Sequence, residues 1–281
     1  MKIKKIGILY HPMVESTSVR ARDLHDFLVA RGIEVWSCSA WETEKAVSLL
    51  DGTDLILANG GDGTLLRAAQ VALVHQTPVT GINMGNLGFL TEFKADEALD
   101  RLPELLAGQG WLDERTMLEA RLVTAESKGS PIVAFYALND VVLARGAIAR
   151  LIQVDTAIDD KPVTTYRADG IILATATGST SYALAAGGPV LYPHSADFLL
   201  VPIVPHLTAG YSLVIPSTGV VELKLITNNQ ATLSIDGHIN IPVSSGTVIK
   251  VRTSAKKARF LRLREQNYFF NVLEEKLRGK K

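Results

Sequence analysis

The sequence predicts an α/β N-terminal domain, a parallel doubly wound sheet, joined to a mainly antiparallel all-β C-terminal domain. Three observations carry this reading. Up to Ala107, short apolar runs alternate with longer helix-compatible runs, the pattern of parallel β-α-β units. Around Gly108-Gln109-Gly110 the pattern changes, and from Met117 to about Phe260 the segments are short, β-branched and punctuated by turn residues. The end of the chain, Gln266–Leu277, is amphipathic at helical spacing and is expected to return to the first domain. The expected domains are therefore 1–110 with the closing helix 264–281, and 111–263.

Taken in order, residues 3–10 read as a first strand that ends at His11-Pro12. The opening M-K-I-K-K-I-G-I-L-Y has too short an apolar stretch for a secretory leader. Ser16, Thr17 or Ser18 would cap a helix whose stripe is Val19, Leu24, Phe27, Leu28 and Ile33, with Gly32 closing it. Strands are expected at Glu34–Ser39, Asp54–Ala58 and Pro78–Asn83, and helices at Trp41–Leu50, Thr64–His75 and Ala95–Ala107. In the second half, strands are expected at 132–143, 151–158, 163–166, 220–227, 231–235 and 247–252. The basic run Lys256–Arg264 reads as a solvated strand face.

Composition narrows the function classes. Lys plus Arg and Asp plus Glu number 29 each, so no overall field favours nucleic acid or a membrane surface. Cys38 is the single cysteine, which excludes an intramolecular disulfide framework and suits a reducing cytoplasm. No run of about 18 apolar residues is present. The six histidines lack H-x-x-x-H or H-E-x-x-H spacing, which argues against bound zinc. No G-x-S-x-G elbow is present.

Two glycine-rich turns carry the chemistry. Asn59–Leu66 reads N-G-G-D-G-T-L-L, after the apolar Leu55–Ala58 and before a helix-compatible run. Glycines there let backbone amides approach phosphate oxygens, and the helix dipole favours the same charge. It is neither a P-loop nor a G-x-G-x-x-G turn. A carboxylate among such amides repels the ligand unless it serves as a base or meets a metal, and that carboxylate is Asp62. The competing reading is a tight structural turn with Asp62 as helix N-cap.

The second turn follows a strand at Gly170–Thr175 and leads into a helix at Thr180–Ala186. Thr175, Thr177, Ser179, Thr180 and Ser181 place five hydroxyls within seven residues, with Tyr182 next, a set suited to ribose and phosphate oxygens. Asp169 would accept from ribose hydroxyls or a base amine. A Ser/Thr-capped helix start with Tyr182 in the core fits the same spacing. Asn139-Asp140 suits adenine or ribose edges, though the pair is also an ordinary turn. Residues 83–89, N-M-G-N-L-G-F, form another post-strand glycine turn.

Together these stretches resemble the NAD kinase family. G-G-D-G-T-L-L-R (60–67), G-I-N-M-G-N-L-G-F-L (81–90), N-D-V-V-L (139–143) and D-G-I-I-L-A-T-A-T-G-S-T-S-Y-A-L-A-A-G-G-P (169–189) match its blocks in order and spacing, with S-I-D-G-H (234–238) a weaker match. The first block alone is shared with lipid kinases and phosphofructokinases; the 169–189 block separates them.

The resemblance implies transfer of the γ-phosphoryl of ATP, or in some members of polyphosphate, to the 2′-hydroxyl of the adenosine ribose of NAD. It implies a divalent cation, Mg²⁺ or Mn²⁺, accompanying ATP, with no metal ligand assigned to the protein. Asp62 would be the general base, and Gly60, Gly61, Gly63 and Thr64 would hold phosphates, with Arg67 and Phe89 nearby. Asp62 and Gly63 would also meet NAD, and Asn139 and Asp140 its adenosine half. Arg150, Arg167, Asp169, Thr177, Thr180, Ser181, Tyr182, Ala183, Leu184 and Ala185 would line the rest, with Asp236 and His238. A cytoplasmic homodimer or homotetramer is implied, with no nucleic-acid or membrane partner. The alternatives are a diacylglycerol- or sphingosine-type lipid kinase and a non-catalytic NAD(P)-binding sensor. Asp140 replaces the family's usual Glu, Ala176 a common Pro, and 205–212 lacks the usual Arg or Pro. These departures bear on affinity and NAD-versus-NADH preference more than on the reaction.

Overall fold

The computed structural model describes residues 3–85, 88–123, 133–146, 150–206, 210–227 and 230–277. Of the stretches singled out above, Asn86 and Leu87, Ile132, residues 207–209 and residues 278–281 lie outside the described residues. The chain divides into two units, Met1–Glu114 with Lys257–Lys281, and Arg115–Lys256.

In the first unit, β1 (Lys5–Tyr10), β2 (Glu34–Ser39), β3 (Leu55–Asn59) and β4 (Val79–Asn83) pair in parallel in the order β2-β1-β3-β4. The intervening helices are α1 (Glu15–Val29), α2 (Thr43–Leu49) and α3 (Asp62–Ala72), and β5 (Phe93–Lys94) adds to β4 before α4 (Ala98–Leu106). Every residue of β3 and β4 is buried, as expected of parallel strands covered on both faces. Ile6, Ile8, Leu55, Leu57 and Ile82 pack there with Leu24 and Leu28 of α1 and Leu102 and Leu105 of α4. Helix boundaries differ from the sequence reading: α2, α3 and α4 run Thr43–Leu49, Asp62–Ala72 and Ala98–Leu106, and α1 starts at Glu15 after Val14, so none of Ser16, Thr17 or Ser18 is its N-cap. Thr17 Oγ1 instead donates to the Val14 and His11 carbonyls at 2.6 Å, a local bond that competes with capping.

The second unit is a two-layered sandwich. Its strands are β6 (Trp111–Val123, which starts in the first unit), β7 (Ala134–Ala137), β8 (Asp140–Arg145), β9 (Ile152–Ile158), β10 (Lys161–Ala168) and β11 (Gly170–Ala174). A one-turn helix α5 (Tyr182–Ala185) precedes β12 (Phe198–Ile203), β13 (Leu213–Ile215), β14 (Val220–Leu225), β15 (Ala231–Ile235), β16 (Ile239–Val243) and β17 (Val248–Arg262). One sheet runs β13-β12-β11-β8-β15-β16, antiparallel throughout, and the other layer contains β10-β9-β14-β17. Leu143, Leu173, Leu200 and Leu233 of the first layer meet Val154, Leu223, Ile249 and Val251 of the second in one apolar core. Asp159 and Asp160, both at positive φ (50° and 62°), make the two-residue turn joining β9 to β10.

The expected strand 132–143 is two strands, broken at Leu138-Asn139. The sequence reading has no counterpart for β6, β12, β13 and β16, and β17 runs ten residues past the expected Arg252. The final helix, α6 (Tyr268–Leu277), belongs to the first unit, where Phe269 lies 5.8 Å from the Phe89 ring.

Candidate active site

The first half of the site grows out of the end of β3. The chain leaves Asn59 into Gly60, whose N–H donates to the Ile82 carbonyl at 2.8 Å. A Cβ on Gly60 would collide with the Thr64 side chain, so the turn closes only around glycine. Gly61 and Gly63 are exposed, with open space where a side chain would stand. Helix α3 begins at Asp62, and its N-cap, Gly61, has no side chain to satisfy the first-turn amides. Anionic oxygens suit that position.

Asp62 does not cap its own helix. Its carboxylate accepts the Phe89 amide at 3.2 Å and the Leu90 amide at 3.4 Å, 27 and 28 residues further along. Gly88 packs so closely that a Cβ there would strike the Asp62 carboxylate. Thr91 Oγ1 accepts from the Gly88 amide at 3.0 Å and from Asn83 Nδ2 at 3.4 Å, which steadies that loop. Two buried polar atoms here, Asn59 Oδ1 and Thr64 Oγ1, have no hydrogen-bond partner among the described residues. Such atoms are rare in a purely structural turn.

Arg67, one turn along α3, lies with its guanidinium 4.2 Å from the Trp41 ring centre, and burial holds its pKa below the usual value. His11 meets the same indole at 4.6 Å. His11 and Trp41 follow the ends of β1 and β2, the sheet edge where ligands bind in α/β folds. The sequence reading names both only as element boundaries, although His11 directly follows β1, which pairs with β3.

In the second unit, the Leu138-Asn139-Asp140 turn is held by Asp236. The Asp236 carboxylate accepts the amides of Leu138 (2.9 Å), Asn139 (2.7 Å) and Asp140 (3.1 Å). Thr175 reinforces it, its Oγ1 donating to the Leu138 carbonyl at 2.5 Å and its amide to the Asn139 carbonyl at 2.9 Å. A Cβ on Gly178 would collide with that same Asn139 carbonyl. Asn139 Oδ1 is buried without a partner among the described residues. His238 places Nδ1 3.1 Å from the Asp236 carbonyl oxygen.

The hydroxyl run sorts itself. Thr175 and Ser179 are buried and already hydrogen-bonded within the protein, with Ser179 Oγ donating to the Ala176 carbonyl at 2.7 Å and accepting the Leu191 amide at 3.0 Å. The expected helix Thr180–Ala186 is a 3-10 turn, Gly178–Thr180, followed by α5 with no side-chain cap. Ser181 and Tyr182 are exposed, so Tyr182 is not core, and Ala185 is exposed too. Leu184 and Thr180 are half-buried, and Thr177 Oγ1 lies 3.5 Å from Arg115 Nη1. Ala183 is fully buried with Val142, Ile172 and Leu199, which leaves a ligand only its backbone.

Asp169 pairs with Arg145 Nε at 2.9 Å, and Arg167 and Arg150 are exposed. Strand register sets Gly170 against Ala144 and Ala174 against Asp140, so Asp169 lies at the other end of β11 from the Asn139 turn. At roughly 3.4 Å per residue that is a separation of about 17 Å, a span for an extended dinucleotide rather than for one small group. A cavity of about 420 Å³ on β9, β10 and β14 borders none of these residues.

Asp140 is buried, and burial first and the Asp236 charge second push its pKa from an ordinary 3.8 up to about 7. With the folded value above the unfolded one, its contribution to stability is fully present below about 3.8 and is lost as pH rises through about 7. Asp140→Asn keeps the shape and removes the titration. Its stability relative to the parent should therefore rise between pH 5 and pH 8, by at most about 1.4 kcal/mol per pH unit, and the difference in melting temperature should rise with it. A difference that stays flat over that range would show that Asp140 does not titrate there.

The chain matches two family profiles, the ATP-NAD kinase N-terminal domain over residues 37–110 and the ATP-NAD kinase C-terminal domain over residues 138–263. It is 50% identical over 276 residues to an NAD kinase of Dehalococcoides mccartyi, covering 98% of this chain and 96% of that protein. An NAD kinase of Chloroflexus aggregans is 40% identical over 276 residues, covering 98% and 99%. Among solved structures, yeast NADH kinase complexed with NADH superposes with a TM-score of 0.85 at 24% identity, covering 100% of this chain and 89% of that one. An NAD kinase from Archaeoglobus fulgidus in complex with ATP gives 0.76 at 24% identity, covering 99% and 100%. At that identity the structural likeness speaks for the fold.

Proposed function

Because this chain belongs to the ATP-NAD kinase family, we propose that it moves the γ-phosphoryl group of ATP onto the 2′-hydroxyl of the adenosine ribose of NAD, with Asp62 as general base. One observation supports that role for Asp62 above the others. Its carboxylate is fixed by two backbone amides at the mouth of a glycine turn whose exposed members, Gly61 and Gly63, leave room for phosphate oxygens. In the step itself the 2′-oxygen forms a bond to the γ-phosphorus, the bond to the β–γ bridging oxygen breaks, and ADP leaves. The hydroxyl proton passes to Asp62 Oδ. The α3 N-terminus and Arg67 would hold phosphate oxygens, and Phe89 would border the turn. On the acceptor side, the Asn139-Asp140 turn would take the adenosine half of NAD. The exposed Ser181 and Tyr182, with Thr177 and Thr180, would meet the remaining ribose and phosphate oxygens. Asp169, with Arg167 and Arg150, would serve the far end of the dinucleotide.

Among the described residues no three His, Cys, Asp or Glu side chains come together as a metal cage. A Mg²⁺ or Mn²⁺ would be carried on the ATP phosphates. Such a cation supplies neutralisation of charge on the transferring group.

Residues 1–110 with the closing helix are proposed as the half that supplies Asp62, and 111–263 as the NAD-binding half. The exposed sheet ends β10, β13 and β16 suit a homodimer or homotetramer, which light scattering that returned a monomer would remove. The free, buried Cys38 suits a cytoplasmic location, to be checked by cell fractionation. No helix among the described residues is long and apolar enough to cross a membrane. The lipid-kinase and sensor alternatives gain no support from the relatives.

The test is direct. Purified protein with ATP, NAD and Mg²⁺ should form NADP, and a parallel reaction with polyphosphate defines the donor range. No NADP at millimolar substrates would overturn the reading.

A further inference from the structure

Loop 88–90 holds the Asp62 carboxylate, and the same loop is itself held from below. Arg262 Nη1 donates to the Leu90 carbonyl at 2.9 Å, and the Leu90 amide donates to Asp62 Oδ1 at 3.4 Å. We propose that Arg262 is a positioning residue for Asp62, acting through the backbone of Leu90; this rests on the reading of Asp62 as the general base.

Arg262 stands near the end of β17, 172 residues from Leu90, and is 8% exposed. Its Nε donates to Asp113 Oδ2 at 2.7 Å, and Nη1 also reaches Glu92 Oε2 at 3.3 Å. Asp113 and Glu92 are themselves buried, at 0% and 1% exposure. Glu92 Oε1 in turn accepts the amides of Leu263 (2.9 Å) and Arg264 (2.7 Å), which locks the end of β17 against the strand that follows the loop. Thr80 Oγ1 adds a bond to the Leu261 carbonyl at 2.8 Å.

A buried ion cluster is a poor device for stability alone, because apolar packing of the same volume is commonly as stable without the desolvation cost. What a guanidinium adds is geometry. Its planar fork fixes several donors at once, so two carboxylates set its plane and the plane sets the Leu90 carbonyl. The carbonyl of Leu90 and the amide that meets Asp62 belong to one residue. They lie in successive peptide planes joined at the Leu90 Cα, so holding the carbonyl restricts where the amide points.

Arg262→Lys keeps the charge and loses the fork. It should lower kcat by about tenfold to a hundredfold, the scale of a misplaced reacting group, with KM for ATP and for NAD changed by less than about twofold. The decisive readout is the cycle with Asp62→Asn. If Arg262 acts through Asp62, Arg262→Lys in that background should change kcat by less than about twofold, because the unit is already broken. The same fold-loss in both backgrounds would overturn the proposal, since a general structural role lowers both rates alike. Should Arg262→Lys not fold, Glu92→Gln goes through the same cycle with the same two outcomes. It keeps an oxygen for the Leu263 and Arg264 amides while weakening the hold on the guanidinium. Near-normal kcat in Asp62→Asn itself would remove the base reading and this proposal with it.

Discussion

Asp62→Asn should bind NAD within a few-fold of the parent while losing about 10²- to 10⁴-fold in kcat, the usual contribution of a positioned base. The two parts of the expectation have separate causes. Binding persists because Asp62 is only one of the proposed NAD contacts, the others lie on other residues, and the glycine backbone is untouched. Turnover falls because an amide cannot take the 2′-hydroxyl proton as the oxygen attacks. A residual rate should remain, since phosphoryl transfer gains most from positioning and charge neutralisation. The substitution also sets an NH₂ group toward either the Phe89 or the Leu90 amide, two donors face to face where a carboxylate accepted both. Titration calorimetry for NAD and single-turnover rates separate the effects. A kcat within about threefold of the parent would place the base elsewhere.

How much of this was legible in the sequence follows from how local each cause is. Strands β1 and β3 could be read because each is a largely apolar run of five or six residues bounded by turn chemistry, and both glycine turns lie where a run ends. The partners of the key carboxylates could not be read. Asp62 meets amides 27 and 28 residues away, and Asp236 meets amides 96 to 98 residues away. No spacing rule reaches that far. Arg262 shows a subtler miss. Within the basic run expected to be a solvated face, Lys256 and Lys257 are exposed, but Ala258, Phe260 and Arg262 alternate onto the buried face. Period two had placed Arg262 with the apolar residues, and its charge obscured the signal. The hydroxyl run was over-read for the opposite reason. Residue type cannot tell a hydroxyl spent on a neighbouring carbonyl, as in Ser179, from an exposed one such as Ser181.

Asp236→Ala should be the most damaging substitution in the second unit. Its carboxylate is the acceptor for three consecutive amides, two of them buried, and alanine supplies none of those bonds. A buried donor left unmet costs about 1–3 kcal/mol, so the fold should lose several kcal/mol even if water enters part of the gap. For a domain of this size about 1 kcal/mol moves the melting point by roughly 2–4 °C, and a fall on the order of 10 °C is expected. Asp236 itself sits at φ 49°, a left-handed position that alanine tolerates less well than aspartate, which adds to the loss. Function should fail in a particular way. The turn that presents Asn139 Oδ1 loses its support, so KM for NAD should rise by about tenfold or more while KM for ATP, whose proposed contacts lie in the first unit, stays put. Asp236→Asn is the milder comparison, since its single oxygen can still accept from Asn139 and Asp140, which share Asp236 Oδ1, and only the Leu138 amide faces an NH₂. It also removes the charge that helps raise the Asp140 pKa, so that value should fall part of the way and no further, burial being the larger cause. An Asp236→Ala protein that melted within about 2 °C of the parent with an unchanged KM for NAD would show that the three amides find other acceptors and that the turn holds without the clamp.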